Sequence, residues 1–335
     1  MNVILAVILL LGGLAILWLC AELLVAGAVG LARLLGVSSL VIGLTVVAMG
    51  TSAPELAVSI AGVLDKTGEG GNIAIGNVFG SNIANLALVG GLVALIRPLM
   101  VKRQTLCREI PVMILMELLL WPFLFNSHLS RLEALALLAV FAVLILITVI
   151  LARKESFQNR IEQDQLNKLE VDDTDDSEIT SRTNGKKNVI LIVIGLIGLA
   201  VGAEMAKDGA VFIGTKIGLS QSVIGLTIIA FGTSLPELVT CVAAAVRGHH
   251  DISVGNLVGS NIFNTLLVVG GAGIVLPFDI EQRFAGGTDY WIMIIVSAAF
   301  ALAVFLGKHI IGRISGTLLL CGYVGYMVYV LGYSG

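Results

Sequence analysis

The apolar residues of this chain are gathered into long continuous runs, at roughly 3–32, 37–64, 72–96, 110–125, 130–152, 188–214, 219–246, 252–278, 288–306 and 310–333. A helix needs about 20 such residues to cross the hydrocarbon layer of a bilayer. Within that layer every backbone amide must find its partner inside the protein, so only helices and closed barrels can span it. Barrel strands would alternate polar and apolar residues over about ten positions, whereas these runs are uninterrupted and mostly far longer. The expected fold is an all-α integral membrane protein of ten transmembrane helices. Charge supports the same class, because Asp, Glu, Lys and Arg make up only 13% of the 335 residues, about half the share in a soluble domain.

Several other classes are excluded or disfavoured on the same footing. The first run begins directly after Met1-Asn2, without a positive flank, and continues past signal-peptide length, so it reads as a first transmembrane helix. A net charge of -3 gives no basic footprint for nucleic acid, and the partner expected of the surface is the lipid bilayer. Cys20, Cys107, Cys241 and Cys321 are far apart, with no CxxC pair for a metal or a redox step. No HExxH, GxSxG or Walker A loop occurs, so an enzyme is not expected and no cofactor is implied.

One stretch, 153–187, is strongly polar and has almost nothing to build a core with. It is expected to be a flexible linker between a first half, 1–152, and a second half, 188–335. Its acidic run Glu170 to Glu178 lacks the glycine and spacing of a calcium-binding EF-hand loop and reads as a solvated charge block. With the N-terminus outside, the cytoplasmic loops carry Arg33, Arg97, Lys102, Arg103, Arg108, Arg247, Lys308, Arg313 and all the linker cations. The opposite side carries only Lys66, Arg131, Lys216 and Arg283. The excess of Lys and Arg belongs on the cytoplasmic face, which puts both termini outside and the linker inside.

The chain repeats itself. Val41-Ile42-Gly43-Leu44-Thr45, followed by Gly50-Thr51-Ser52-Ala53-Pro54-Glu55-Leu56, returns as Val223-Ile224-Gly225-Leu226-Thr227, followed by Gly232-Thr233-Ser234-Leu235-Pro236-Glu237-Leu238. A second block, Gly76-Asn77-Val78-Phe79-Gly80-Ser81-Asn82-Ile83-Ala84-Asn85, returns as Gly255-Asn256-Leu257-Val258-Gly259-Ser260-Asn261-Ile262-Phe263-Asn264. Each half holds five apolar runs, an odd number, so the second copy enters the membrane from the opposite side. Such inverted repeats are an architecture of secondary transporters, with the substrate held near the midplane.

Glu55 and Glu237 lie near the middle of the second and seventh runs, with no basic residue in either motif. A carboxylate there costs several kcal/mol unless something compensates it. Thr51, Ser52 and Glu55 share one helix face, as do Thr233, Ser234 and Glu237. Pro54 crowds the carbonyl of Gly50, and Pro236 that of Gly232, freeing backbone oxygen at depth. The rows Asn77/Ser81/Asn85 and Asn256/Ser260/Asn264 add amide and hydroxyl oxygens. Two negative charges among oxygen ligands suit Ca2+ or more than one Na+; zinc or copper would call for His or Cys, and these blocks hold neither.

Simpler roles exist for each piece. Gly76-x-x-x-Gly80 and Gly255-x-x-x-Gly259 are helix-packing motifs, a hydroxyl can bond back to its own helix, and a lone buried Glu can be a protonated structural residue. Their duplication on inverted copies favours a site. Glu22 and Glu204 occupy equivalent positions, with Lys207 and Asp208 beside Glu204, and read as a structural or gating cluster. Glu117 has no counterpart motif and reads as part of a polar patch, while His249-His250 reads as a solvated loop pair. A channel filter could use the same oxygens, though inverted repeats with prolines inside the helices argue for alternating access.

The GTSAPE and GTSLPE motifs, with GNVFGSNIAN and GNLVGSNIFN, resemble the two α-repeats of the sodium/calcium exchanger family, within the cation/calcium antiporter superfamily. The resemblance covers essentially the whole chain and is to compact prokaryotic members, which implies a plasma-membrane, that is inner-membrane, location. It implies a diamond-like set of cation sites ringed by the second, third, seventh and eighth helices, with the first and sixth sliding across them. The implied ligands are Glu55, Glu237, Thr51, Ser52, Thr233, Ser234, Ser81, Asn85, Ser260 and Asn264, with the carbonyls of Ala48 and Ala230. Some relatives carry Asp where Asn85 or Asn264 stands, so potassium co-transport is not expected. The implied function is exchange of Na+ for Ca2+ by competition for shared oxygens, normally exporting Ca2+; a calcium/proton antiporter is the alternative.

Overall fold

A computed structural model of the chain describes residues 2–64, 70–169, 179–218, 230–282 and 284–333. The repeated block Val223–Thr227, the acidic run 170–178 and the cations Lys66 and Arg283 lie outside the described residues. The helices, in chain order, are α1 (Val3–Leu35), α2 (Ser39–Leu64), α3 (Gly70–Ile96), α4 (Ile110–Leu124), α5 (Arg131–Leu169), α6 (Ile179–Lys216), α7 (Leu235–Val246), α8 (His250–Val275), α9 (Thr288–Leu306) and α10 (Arg313–Tyr333). Among the described residues eight of these are long and apolar enough to cross a membrane, while α4 and α7 are shorter apolar helices in the expected places. Large side chains such as Ile314 and Leu132 stand 82% and 79% exposed on the outer surface, a coat that only lipid tails can cover without cost.

The polar stretch expected to be a flexible linker is helical at both ends. Helix α5 continues through Arg153 to Leu169, and α6 begins at Ile179. The extension of α5 is rich in Glu, Gln, Lys, Arg and Leu, good helix formers that need no nucleus of their own when they prolong an existing helix.

Helices α3 and α8 form the centre of the bundle. In their most apolar windows 72% and 78% of residues are buried, against 17% for α1 and 11% for α5. Phe79, Ile83, Leu257 and Leu266 of this pair pack with Met113 and Leu120 of α4 and Met293 and Phe300 of α9 in one continuous core. Outside it, α1 and α6 pack antiparallel along their length, Gly13 against the Gly202 carbonyl and Ala206, Gly195 against Leu24, and Gly27 against Asn188 and Ile192. A β-carbon at Gly13 or Gly202 would overlap the facing backbone, so small residues set this close approach.

Two short antiparallel bridges record the symmetry of the halves. β1 (Leu99–Met100), after α3, pairs with β4 (Ile310–Ile311), before α10; β3 (Phe278–Asp279), after α8, pairs with β2 (His128–Leu129), before α5. Each bridge joins the exit of one central helix to the α9–α10 or α4–α5 turn of the opposite half. At the centre, Asn82 Nδ2 donates to the Asn261 carbonyl at 3.4 Å and Asn261 Nδ2 donates to the Asn82 carbonyl at 3.3 Å. Such reciprocal bonds mark a pseudo-two-fold axis between α3 and α8.

Candidate cation site

The TSxPE motifs interrupt their helices. Ser52 and Ser234 leave helical geometry with φ/ψ of -83°/3° and -88°/3°, and a new helix starts immediately after each. Pro54 and Pro236 fall in the first turn of these new helices, where a missing N–H leaves no bond unmade. The serine break thus absorbs the proline that the sequence places inside a span. Glu55 and Glu237 fall in the same first turns, where the positive end of the helix dipole favours a carboxylate.

Helices α3 and α8 carry a second irregularity. Asn85 lies in a π-helical segment, Ala84–Val89, and Asn264 opens another, Asn264–Val268. Widened turns of this kind are frequent at functional sites, because they re-aim side chains off the regular rows.

The structure gathers these elements into one buried cluster. Thr51, Ser52, Glu55, Ser81, Asn85, Thr233, Ser234, Glu237, Ser260 and Asn264 are all 7% exposed or less, and both glutamates are fully enclosed. Ser52 Oγ donates across the interface to Glu237 Oε1 at 3.4 Å. Thr51 Oγ1 donates to Asn256 Oδ1 at 3.1 Å and stands 3.5 Å from Ser260 Oγ. The Ser52 bond ties the helix start that carries Glu55 to Glu237 of the other half. Ala48 offers a carbonyl that already accepts from the Ser52 N–H at 3.0 Å and the Thr51 hydroxyl at 3.4 Å; Ala230 opens the short helix Ala230–Thr233 before the second break.

The orientation of the amides decides what the cluster can bind. Asn85 Nδ2 donates to Asn261 Oδ1 at 3.3 Å, and Asn264 Nδ2 donates to Asn82 Oδ1 at 3.1 Å. Their nitrogens are therefore tied back into the protein, and among the described residues Asn85 Oδ1 and Asn264 Oδ1 receive no hydrogen bond. Both Glu55 oxygens and Glu237 Oε2 are likewise buried without a donor among the described residues. Buried acceptors of this kind are costly when unmet, and here their helices pack on one another, the helix from Ala53 against Asn264–Val268 and α7 against Ala84–Val89. Oxygen-rich, donor-poor surroundings are the chemistry of a hard cation.

The sequence rows did not bring out the residues that hold this arrangement. Asn82 and Asn261 carry the amide locks, yet they fall off the i, i+4 rows on which the sequence places its amide and hydroxyl oxygens. Asn77 donates to the Glu55 carbonyl and to Ser59 Oγ, each at 3.0 Å, and so braces the start of the new helix instead of facing the cluster. Asn256 accepts from Thr51 and donates to Cys241 Sγ at 3.4 Å. Of the peripheral groups, Glu22 pairs with Arg247 at 2.9 Å and Glu204 with Lys207 at 2.6 Å. His250 is buried where the sequence suggested a solvated loop, because it opens α8 at the bundle wall beside Lys102 and Asp251.

Comparison with known proteins gives a consistent pattern. A family profile described as sodium/calcium exchanger protein matches residues 5–150 and 187–332. The inner membrane protein YrbG of Escherichia coli is 36% identical over 326 residues, covering 96% of each chain. The sodium/calcium exchanger MaX1 of Methanosarcina acetivorans is 32% identical over 344 residues, covering 96% of this chain and 97% of the relative. Among solved structures, the sodium-calcium exchanger NCX_Mj soaked with 10 mM Na+ and no Ca2+ superposes with a TM-score of 0.78 at 31% identity, over 98% of this chain and 99% of that one.

Proposed function

The chain belongs to the sodium/calcium exchanger protein family, and on that premise we propose that it exchanges Na+ for Ca2+ by alternating access through a midmembrane site built around Glu55 and Glu237. Membership makes it a multi-pass membrane antiporter of the cation/calcium type, not an enzyme, with Na+ and Ca2+ as substrates and no cofactor. The proposed ligands are Glu55, Glu237, Ser52, Thr51, Ser81, Asn85, Thr233, Ser234, Ser260 and Asn264, with backbone oxygen from Ala48 and Ala230. The observation that carries this reading is the set of buried acceptors with no donor on Glu55, Glu237, Asn85 and Asn264. The locked amide nitrogens support it, because they leave oxygen as the free end of each asparagine.

Exchange follows from the charge. Two carboxylates without a cationic side chain in contact are disfavoured in an occluded, low-dielectric state. Ca2+ compensates both at once, and Na+ ions do so together. The site crosses between its two openings only when loaded, which couples the two fluxes. An inward sodium gradient then drives calcium export. We place the protein in the inner membrane with both termini outside, following the distribution of Lys and Arg.

The test is uptake of radiolabelled Ca2+ into proteoliposomes loaded with Na+ and diluted into Na+-free buffer, beside a pH gradient without Na+. Uptake that needs the outward Na+ gradient and is lost in Glu55→Gln is expected. Uptake driven by the proton gradient alone would replace Na+ with H+ as the coupling ion, and flux without any counter-ion would indicate a channel.

A further inference from the structure

Behind the cluster lies a third fully buried carboxylate that the proposed transport cycle does not use. Glu117, on α4, is 0% exposed. Its Oε1 accepts from Asn261 Nδ2 at 3.3 Å, and Ser297 of α9 lies beside its carboxyl. Tyr290 anchors the backbone at this point, its hydroxyl donating to the Glu117 carbonyl at 3.1 Å. The bond to Asn261 uses the second amide hydrogen of that residue, the first being given to the Asn82 carbonyl.

We propose that Glu117 is a positioning residue for the cation site: it holds the Asn261 amide in one orientation, and through it fixes Asn85 with oxygen, not nitrogen, toward the cation. An asparagine side chain has an acceptor end and a donor end of nearly the same shape. With both hydrogens of Asn261 engaged, its Oδ1 faces Asn85 and accepts from Asn85 Nδ2 at 3.3 Å. The only end of Asn85 left for a cation is then its oxygen, which receives no hydrogen bond. If Asn261 turned over, Asn85 would follow, and an NH2 group would face the cation. The carboxyl oxygen that faces Asn261 accepts in either protonation state, so the lock does not depend on charge.

The mirror position shows what the carboxylate adds. Asn82 Nδ2 donates to the Asn261 carbonyl and to Thr265 Oγ1 at 3.1 Å, so the amide that orients Asn264 leans on a hydroxyl. That hydroxyl gives its own hydrogen to the Asn261 carbonyl at 2.8 Å, so toward Asn82 it acts as an acceptor. Ser297 occupies the place in α9 that Glu117 occupies in α4, the buried rows being Met293/Ser297/Phe300 and Met113/Glu117/Leu120. Among the described residues the carboxyl therefore stands on one side only, and the prediction for Glu117 is specific to Asn85.

This inference rests on Asn85 being a ligand of the proposed site, and the experiment separates the two. Half-saturation for Ca2+ is measured in proteoliposomes for Glu117→Leu and Glu117→Gln, each alone and combined with Asn85→Asp, on protein that elutes as a single species in detergent. Glu117→Leu alone is expected to raise the half-saturating concentration about tenfold, since it leaves a buried amide hydrogen of Asn261 unmet, while Glu117→Gln, whose carbonyl still accepts, stays within about threefold. With Asn85→Asp the sign reverses. An aspartate has no donor end, and Asn261 must turn over to donate to it, which Glu117 opposes. Leucine removes that opposition, and glutamine can turn its own amide to donate to the reversed Asn261, so either substitution should then lower the half-saturating concentration.

The same fold change in both backgrounds would overturn the lock. Should Glu117→Leu fail to fold, the Glu117→Gln pair carries the test, its reversal supporting the lock and its absence overturning it. Unchanged half-saturation in Asn85→Asp alone would remove Asn85 from the site, and the inference with it.

Discussion

The two halves of the molecule present the same motif in unequal surroundings. Glu237 accepts from Ser52 of the other half at 3.4 Å, whereas neither oxygen of Glu55 has a donor and the hydroxyl of Ser234, the counterpart of Ser52, is unpartnered. Ser81 lies beside Glu55 without reaching hydrogen-bond geometry. A repeat therefore specifies which residues surround the site but not how the cost of burying charge is divided between its halves. On the proposed reading a cation gains most at Glu55, because that carboxylate has the least to lose to it.

The largest effect expected from this inequality follows removal of either charge. Glu55→Gln and Glu237→Gln should each lower Na+-driven Ca2+ uptake at least about a hundredfold, since breaking a buried charge arrangement costs about 3–5 kcal/mol. Their stabilities should part in the absence of Na+ and Ca2+. Glu55→Gln relieves a carboxylate with no donor, so its melting temperature in detergent should rise further above wild type than that of Glu237→Gln. Equal shifts, or a larger one for Glu237→Gln, would contradict the ordering of the two halves.

A smaller difference is expected from the serines at the helix breaks. Ser52→Ala removes a donor from Glu237, while Ser234→Ala removes a hydroxyl without a partner among the described residues. The half-saturating Ca2+ concentration should rise about tenfold in Ser52→Ala, in line with a hydrogen bond to a charged group, and no more than about threefold in Ser234→Ala. Equal changes in the two variants would mean that the loaded site is symmetric and that the inequality belongs to the unliganded arrangement alone.

How much of this was legible in the sequence depends on whether repetition marked it. Glu55 and Glu237 stand out because an acidic residue inside an apolar run is expensive and this one occurs twice. Glu117 is equally buried, yet its mirror position holds Ser297, so comparison of the halves passes over it. Asn82 and Asn261 were inside the repeated blocks but off the helical rows, and their role depends on bonds across the pseudo-two-fold axis that no single helix shows. The prolines signalled broken backbone correctly in kind. Their actual place, in the first turn after a serine break, depends on the local backbone at Ser52 and Ser234. The extension of α5 past Arg153 was hidden because a lack of apolar residues argues against a core and not against a helix continued from the membrane.

The least expected effect concerns the one bracing contact in which the halves differ by an atom. Asn77 donates to Ser59 Oγ at 3.0 Å and Ser59 donates to the Ala74 carbonyl at 3.4 Å; in the other half Asn256 donates to Cys241 Sγ at 3.4 Å and Cys241 donates to the Ser253 carbonyl at 3.5 Å. A thiol is the weaker partner in both directions but fills a tightly packed position, and Cys241 is fully buried. Cys241→Ser converts the second brace to the chemistry of the first, so it should keep the half-saturating Ca2+ concentration within about twofold. Maleimide should label the exposed Cys107, which lies among the charged residues before α4, and leave Cys241 unmodified in the folded protein. A change in Cys241→Ser as large as that in Ser52→Ala would show that the brace, and with it the helix start at Glu237, governs cation affinity more than the hydroxyl that touches the carboxylate.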